Sequence, residues 1–157
     1  MTGLAAYKEP DTLPASEPMR LAKLFGLRGD AGQSDLAFAD RVAQGLPVTA
    51  ALALEPILSL IARDALYRVV SESTLRRAKN AKTALTREPS ERIYELGRVI
   101  DQAAKTFRGD PAAVARFLDR PNPVLHGRAP FDVARSSSAG ADLVVKLLRK
   151  ADAGVAV

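Results

Sequence analysis

Apolar side chains recur at helical spacing through most of the chain, and the strict alternation that a half-buried strand needs is scarce. The pattern predicts an all-α protein. In residues 1–33, three prolines, scattered charges and several glycines leave helical spacing only across residues 19–27. That composition predicts a flexible N-terminal arm. Ser34 can cap a helix running to Ala43 or Gln44, with Leu36, Ala39 or Asp40, and Ala43 along one side, and Gly45 with Pro47 as its stop. Residues 48–54 are rich in Ala and Leu and run into Pro56, which ends or kinks the helix before Ile57, Leu60 and Ile61 resume the pattern.

Asp64 then opens a short helix carrying Leu66, Tyr67 and Val70, and Ser71 caps another that carries Leu75. A residue or two between short helices is helix-turn-helix spacing, with the second helix presented outward. From Thr86 a longer helix places Ile93, Leu96, Ile100, Ala103, Ala104 and Phe107 on one core-facing stripe. Asp110 followed by Pro111 is a cap and a favoured first helical residue, and that helix must stop before Pro121. A last helix runs from about Ser138 to Ala153, buries Val144, Leu147, Leu148 and Ala151, and ends at Gly154. The expected organisation is a flexible arm over 1–33, an HTH-like DNA-binding and dimerisation part over 34–85, and a helical domain over 86–157.

Composition narrows the function classes. A chain of 157 residues with 47% hydrophobic content suffices for one compact core. Its 23 Lys and Arg against 18 Asp and Glu give a net charge of +5 and a pI near 9.8, which permits polyanion binding without requiring it. No cysteine is present, so disulfides and thiolate metal sites are excluded. The first residues lack the basic start and apolar run of a secretory signal, and the apolar stretch 46–62 is interrupted by Glu55 and Pro56. A cytoplasmic protein is expected, with no membrane span, catalytic residues, metal site or cofactor.

The candidate chemistry is one of binding. Arg76, Arg77, Lys79 and Lys82 fall on and just after the second helix of the close pair, with Ser73 and Thr74 near its start. The cations suit phosphates and the helix start suits base edges, while the same cluster also fits a solvated basic face. Val69 and Val70 precede Ser71 where such turns often use Gly. His126, the only histidine, has no cysteine to complete a dyad or metal set. Asp142 and Lys146 read as an exposed i,i+4 ion pair. The segment 117–132, F-L-D-R-P-N-P-V-L-H-G-R-A-P-F-D, carries three prolines that fix φ and remove donors, so it forms a stiff corner ahead of the last helix.

From about residue 46 onward the chain resembles the Xre/MbcA/ParS group of antitoxins. The resemblance rests on Gly45-Leu46-Pro47, on Ser71, Thr74, Leu75, Arg76 and Arg77, and on residues 85–92. It continues through Phe107, Ala115, Phe117-Leu118, Pro121-Asn122-Pro123, Leu125, Gly127, Pro130, Asp132, Gly140, Val144, Leu148 and Gly154-Val155. Phe117 stands where the group commonly has Trp, Pro89 where Glu is frequent, and Ala153 where His often precedes the final Gly. The resemblance implies a RES-domain toxin as partner, one that consumes NAD or transfers from it. It further implies that the C-terminal region obstructs the toxin's NAD pocket, here through Arg149, Lys150, Gly154, Val155, Ala156 and Val157. Operator DNA and a second copy of the chain are the other expected partners. A stand-alone HTH transcriptional regulator with a C-terminal oligomerisation module is the alternative reading, and a structural adaptor a third.

Overall fold

The computed structural model describes residues 3–154, and among them the regular structure is helical apart from one isolated antiparallel bridge between Asn122 and Arg128. The spine is a long helix, here α7 (Arg87–Thr106), preceded by α1 (Glu17–Leu24), α2 (Asp35–Gln44), α3 (Val48–Leu52), α4 (Glu55–Leu58), α5 (Ala65–Val69) and α6 (Glu72–Ala81). After it come α8 (Pro111–Asp119), α9 (Pro130–Ser136) and α10 (Ser138–Asp152). Ile93, Leu96, Val99, Ile100, Ala103 and Ala104 are all buried on α7, and Gly97, Asp101 and Gln102 are buried beside them. A helix covered on more than one side must be wrapped by others. Helices α1, α2, α5, α8, α9 and α10 all pack against it.

Local signals fix most boundaries. The Ser34 and Ser71 side chains accept from the backbone N–H groups of Ala37 and Thr74, and Asp110 accepts from those of Ala112 and Ala113. Pro56 does break the apolar run, starting α4. The face of α2 differs from the expected one. Phe38 and Val42 are buried, whereas Leu36 is 72% exposed and Ala39 and Ala43 face outward. Aromatic packing decides this, because the Phe38 ring lies between Phe25 at 6.3 Å and Tyr94 at 5.6 Å. Leu60 and Tyr67 are exposed as well.

The N-terminal stretch is no loose arm: Leu4, Tyr7, Leu21, Leu24, Phe25 and Ala31 are buried in the core. A buried clasp holds it. Arg20 Nε donates to Asp101 Oδ1 at 3.0 Å, the Tyr7 hydroxyl donates to the same oxygen at 2.7 Å, and Arg20 Nη1 donates to the Ala15 carbonyl at 2.7 Å. The Phe25 ring sits on Gly97, where an added Cβ would lie 2.2 Å from its Cζ. Composition misleads here because Arg20, polar by itself, is neutralised by a carboxylate 81 residues away.

The expected boundary at 85/86 does not divide the core, which is one cluster from Leu4 to Leu148. Leu85 donates to the Leu46 carbonyl at 2.9 Å, and Leu46 N–H donates to the Ser90 hydroxyl at 2.8 Å, stitching the two stretches together.

Candidate functional site: a basic-rimmed groove on the last helix

The proline segment is built as a closed turn. Asn122 N–H donates to the Arg128 carbonyl at 3.0 Å, Gly127 N–H donates back to the Asn122 carbonyl at 2.9 Å, and the Asn122 side chain accepts from Val124 N–H at 2.9 Å. His126 adopts the left-handed conformation with φ 55° at the apex and is exposed, consistent with a structural place in the turn. Pro130 then opens α9, a helix the sequence pattern did not announce, since seven residues carry too little periodicity. Helix α9 packs tightly on α10 because Gly140 lets the backbones meet: a Cβ there would lie 2.1 Å from the Val133 carbonyl oxygen.

Helix α10 is fixed by two ties as well as its buried stripe of Ala141, Val144, Val145 and Leu148. Gln102 Nε2 donates to Asp152 Oδ2 at 2.7 Å near its end. Near its start, Arg98 Nη1 donates to Asp142 Oδ1 at 2.9 Å and pairs with Glu95 at 3.1 Å, while Arg98 Nε approaches Glu17 of α1 at 3.5 Å without a hydrogen bond. Asp142 thus pairs across helices rather than with Lys146, because Arg98 is the better-placed cation. The Arg98 hydrogen bond and charge hold the Asp142 carboxyl below the usual aspartate range, and burial pushes Glu95 above the usual glutamate range.

With the turn and the helix both held, a groove of about 300 Å³ opens between them. Its floor is Leu125 and Leu147, both buried, and its walls are Val124, 54% exposed, and Leu143, 48% exposed. Lys146, Arg149 and Lys150 form the rim. None of these three cations enters an ion pair among the described residues. Arg149 and Lys150, expected from the sequence, are exposed here on the last turn of α10. Gly154 follows with φ 81°, and Val155, Ala156 and Val157 lie outside the described residues. Val124, Leu143 and Lys146 line the groove without having been expected from the sequence; for Leu143 and Lys146 the signal was present as the i, i+3, i+4, i+7 stripe Leu143, Lys146, Leu147, Lys150, on a different side of α10 from the core stripe.

Two other surfaces compare with it. A larger cleft of about 560 Å³ lies between α2, the start of α7 and the α9–α10 junction. Its charged residues are engaged in the pairs Arg87–Glu91, Arg92–Glu88, Arg98–Glu95 and Arg135–Asp132. On α6 only Leu75 and Ala78 are buried, and Arg76, Arg77, Lys79 and Lys82 are all exposed. Thr74 is half-buried and its hydroxyl accepts from Ser71 at 2.8 Å, while the exposed Ser73 hydroxyl lies 3.3 Å from the Ser71 hydroxyl, within hydrogen-bond distance. Val70 and Ser71, between α5 and α6, are both extended, with φ −134° and −58°, so this turn needs no glycine.

Among the described residues, the fold thus carries near its C-terminal end an apolar groove rimmed by three cations. Residues 102–154 match the family model of the antitoxin Xre/MbcA/ParS C-terminal toxin-binding domain. This is the group the sequence resembles, and the match covers the C-terminal third of the chain. It takes in both walls of the groove and leaves α6 outside. No curated protein matches the chain. None of its described helices is long and apolar enough to cross a membrane.

Proposed function

We propose that the protein is an antitoxin that neutralises a RES-domain toxin, an enzyme that consumes NAD or transfers ADP-ribose from it, by seating its C-terminal part over the toxin and closing the NAD pocket. The observation that carries the reading is the coincidence of the toxin-binding match at 102–154 with the groove of α10. In this reading the groove anchors the toxin. Arg149, Lys150 and Gly154 then direct Val155, Ala156 and Val157 into the entrance. The antitoxin acts by binding rather than by chemistry, in the cytoplasm.

The test is NAD turnover by a RES-domain toxin that the full chain captures from co-expression. Deleting residues 155–157 restores turnover while capture persists; unchanged inhibition removes occlusion by that segment. A chain that captures no such toxin and rescues no growth loses the reading altogether.

A second activity is favoured by the exposed cations of α6. As a dimer the protein binds its operator, with Arg76, Arg77, Lys79 and Lys82 on phosphates and Ser73 and Thr74 at the helix start nearest the bases. Arg76→Ala and Arg77→Ala should each lower the salt slope of binding by about 1. Equal affinity at every salt concentration would remove that role. Specific DNA binding in a chain that holds no toxin would instead favour the stand-alone regulator.

A further inference from the structure

We propose that the groove between α10 and the turn at 122–128 receives an acidic amphipathic helix of the toxin, with apolar side chains seated on Leu125 and Leu147 and carboxylates on the basic rim. The proposal rests on the toxin-binding reading and names what the toxin must present.

Three observations carry it. Val124 and Leu143 are the large exposed apolar residues of residues 102–154, and they face one groove rather than lying scattered. The groove is already formed. The turn is closed by the hydrogen bonds of Asn122, and α10 is tied to α7 at both ends, so little conformational entropy is lost when a partner docks. The third is charge. Lys146, Arg149 and Lys150 flank the apolar floor, and of the two carboxylates on this helix Asp142 is paired with Arg98 and Asp152 accepts from Gln102.

The dimensions suit a helix. Leu143 to Lys150 runs along α10 for roughly 10 Å, two helical turns, the reach of apolar anchors at i, i+3 or i+4, and i+7 on a partner helix. An acidic helix would gain from all three cations, whereas a basic one would set like charges against them. An apolar floor gives nothing to a phosphodiester backbone, which sets this face apart from α6.

The experiment follows leucine and valine methyl NMR signals of the full chain. The probe is a synthetic helical peptide of about 15 residues with leucines on one face and glutamates elsewhere. Its counterpart carries lysines in place of the glutamates, and a DNA duplex is the third titrant. The glutamate peptide should move the Val124, Leu125, Leu143 and Leu147 methyls. The combined Lys146→Glu, Arg149→Glu and Lys150→Glu variant should weaken it about ten-fold or more, since each exposed pair is worth up to a factor of about five. Those residues are surface cations, and circular dichroism checks that the fold persists. Equal binding of the lysine peptide, shifts with DNA at these methyls, or no shift at them with any probe overturns the proposal. Capture of toxin alongside such a failure leaves the antitoxin reading standing. Loss of capture with intact peptide binding does the reverse.

Discussion

Replacing Arg20 by alanine removes one half of the clasp that fastens the N-terminal stretch to α7. The side chains of Arg20 and Asp101 are 8% and 1% exposed, so the aspartate left behind is a charge in the core without its cation. Breaking a buried pair by deleting one partner typically costs about 3–5 kcal/mol. For a chain of this size each kcal/mol moves the thermal midpoint by roughly 2–4 °C, giving a drop of about 6–20 °C. In urea, at about 2 kcal/mol per M, the midpoint should fall by about 1.5–2.5 M. The Arg20→Met, Asp101→Leu double variant should recover most of the loss, since replacing both charges by apolar groups is often neutral. Tyr7→Phe, which forfeits one hydrogen bond to the carboxylate, should cost about 1.5–3 kcal/mol. Urea denaturation followed by circular dichroism measures all three. A loss below about 1 kcal/mol for Arg20→Ala, or a double variant no better than the single, would refute the view that the N-terminal stretch is held by a desolvated charge pair.

Other outcomes follow from the same geometry. Gly140→Ala forces a methyl to within 2.1 Å of the Val133 carbonyl and should cost at least about 1–3 kcal/mol while loosening α9 on α10, read by thermal melts together with toxin capture. Ser71→Ala, which removes the cap of α6, should cost about 1 kcal/mol in chemical denaturation. The acid side of the stability profile should carry two opposed contributions. Glu95, raised by burial, adds stability that is complete below the ordinary glutamate range and is lost as pH rises through its folded pKa. Asp142, lowered by Arg98, adds stability present above the ordinary aspartate range and lost as pH falls through its folded pKa. Urea midpoints between about pH 3 and pH 7 should therefore lack the gain on acidification in Glu95→Gln and lack the loss at the acid end in Asp142→Asn. Unchanged profiles in both variants would rule out these two groups as its source.

What the sequence by itself determined is local: helical spacing, caps and breakers act within a few residues, so the start of α2 at Ser34, of α6 at Ser71 and of α8 at Asp110 follows from the residues alone. The likeness of the C-terminal part to a toxin-binding family was legible too, and the family model matches residues 102–154. Which face of a helix is buried is decided by partners distant along the chain. Phe38 and Val42 displaced Leu36 and Ala39 because the rings of Phe25 and Tyr94 wait for Phe38. Arg20 went inside because Asp101 is there to receive it, and Asp142 left Lys146 for Arg98. The groove is of that second kind. Its floor and walls come from a turn and a helix about 20 residues apart, and no single stretch of sequence contains it. The proline segment therefore does more than orient α10: closed on itself by Asn122, it supplies the second wall against which a partner can dock.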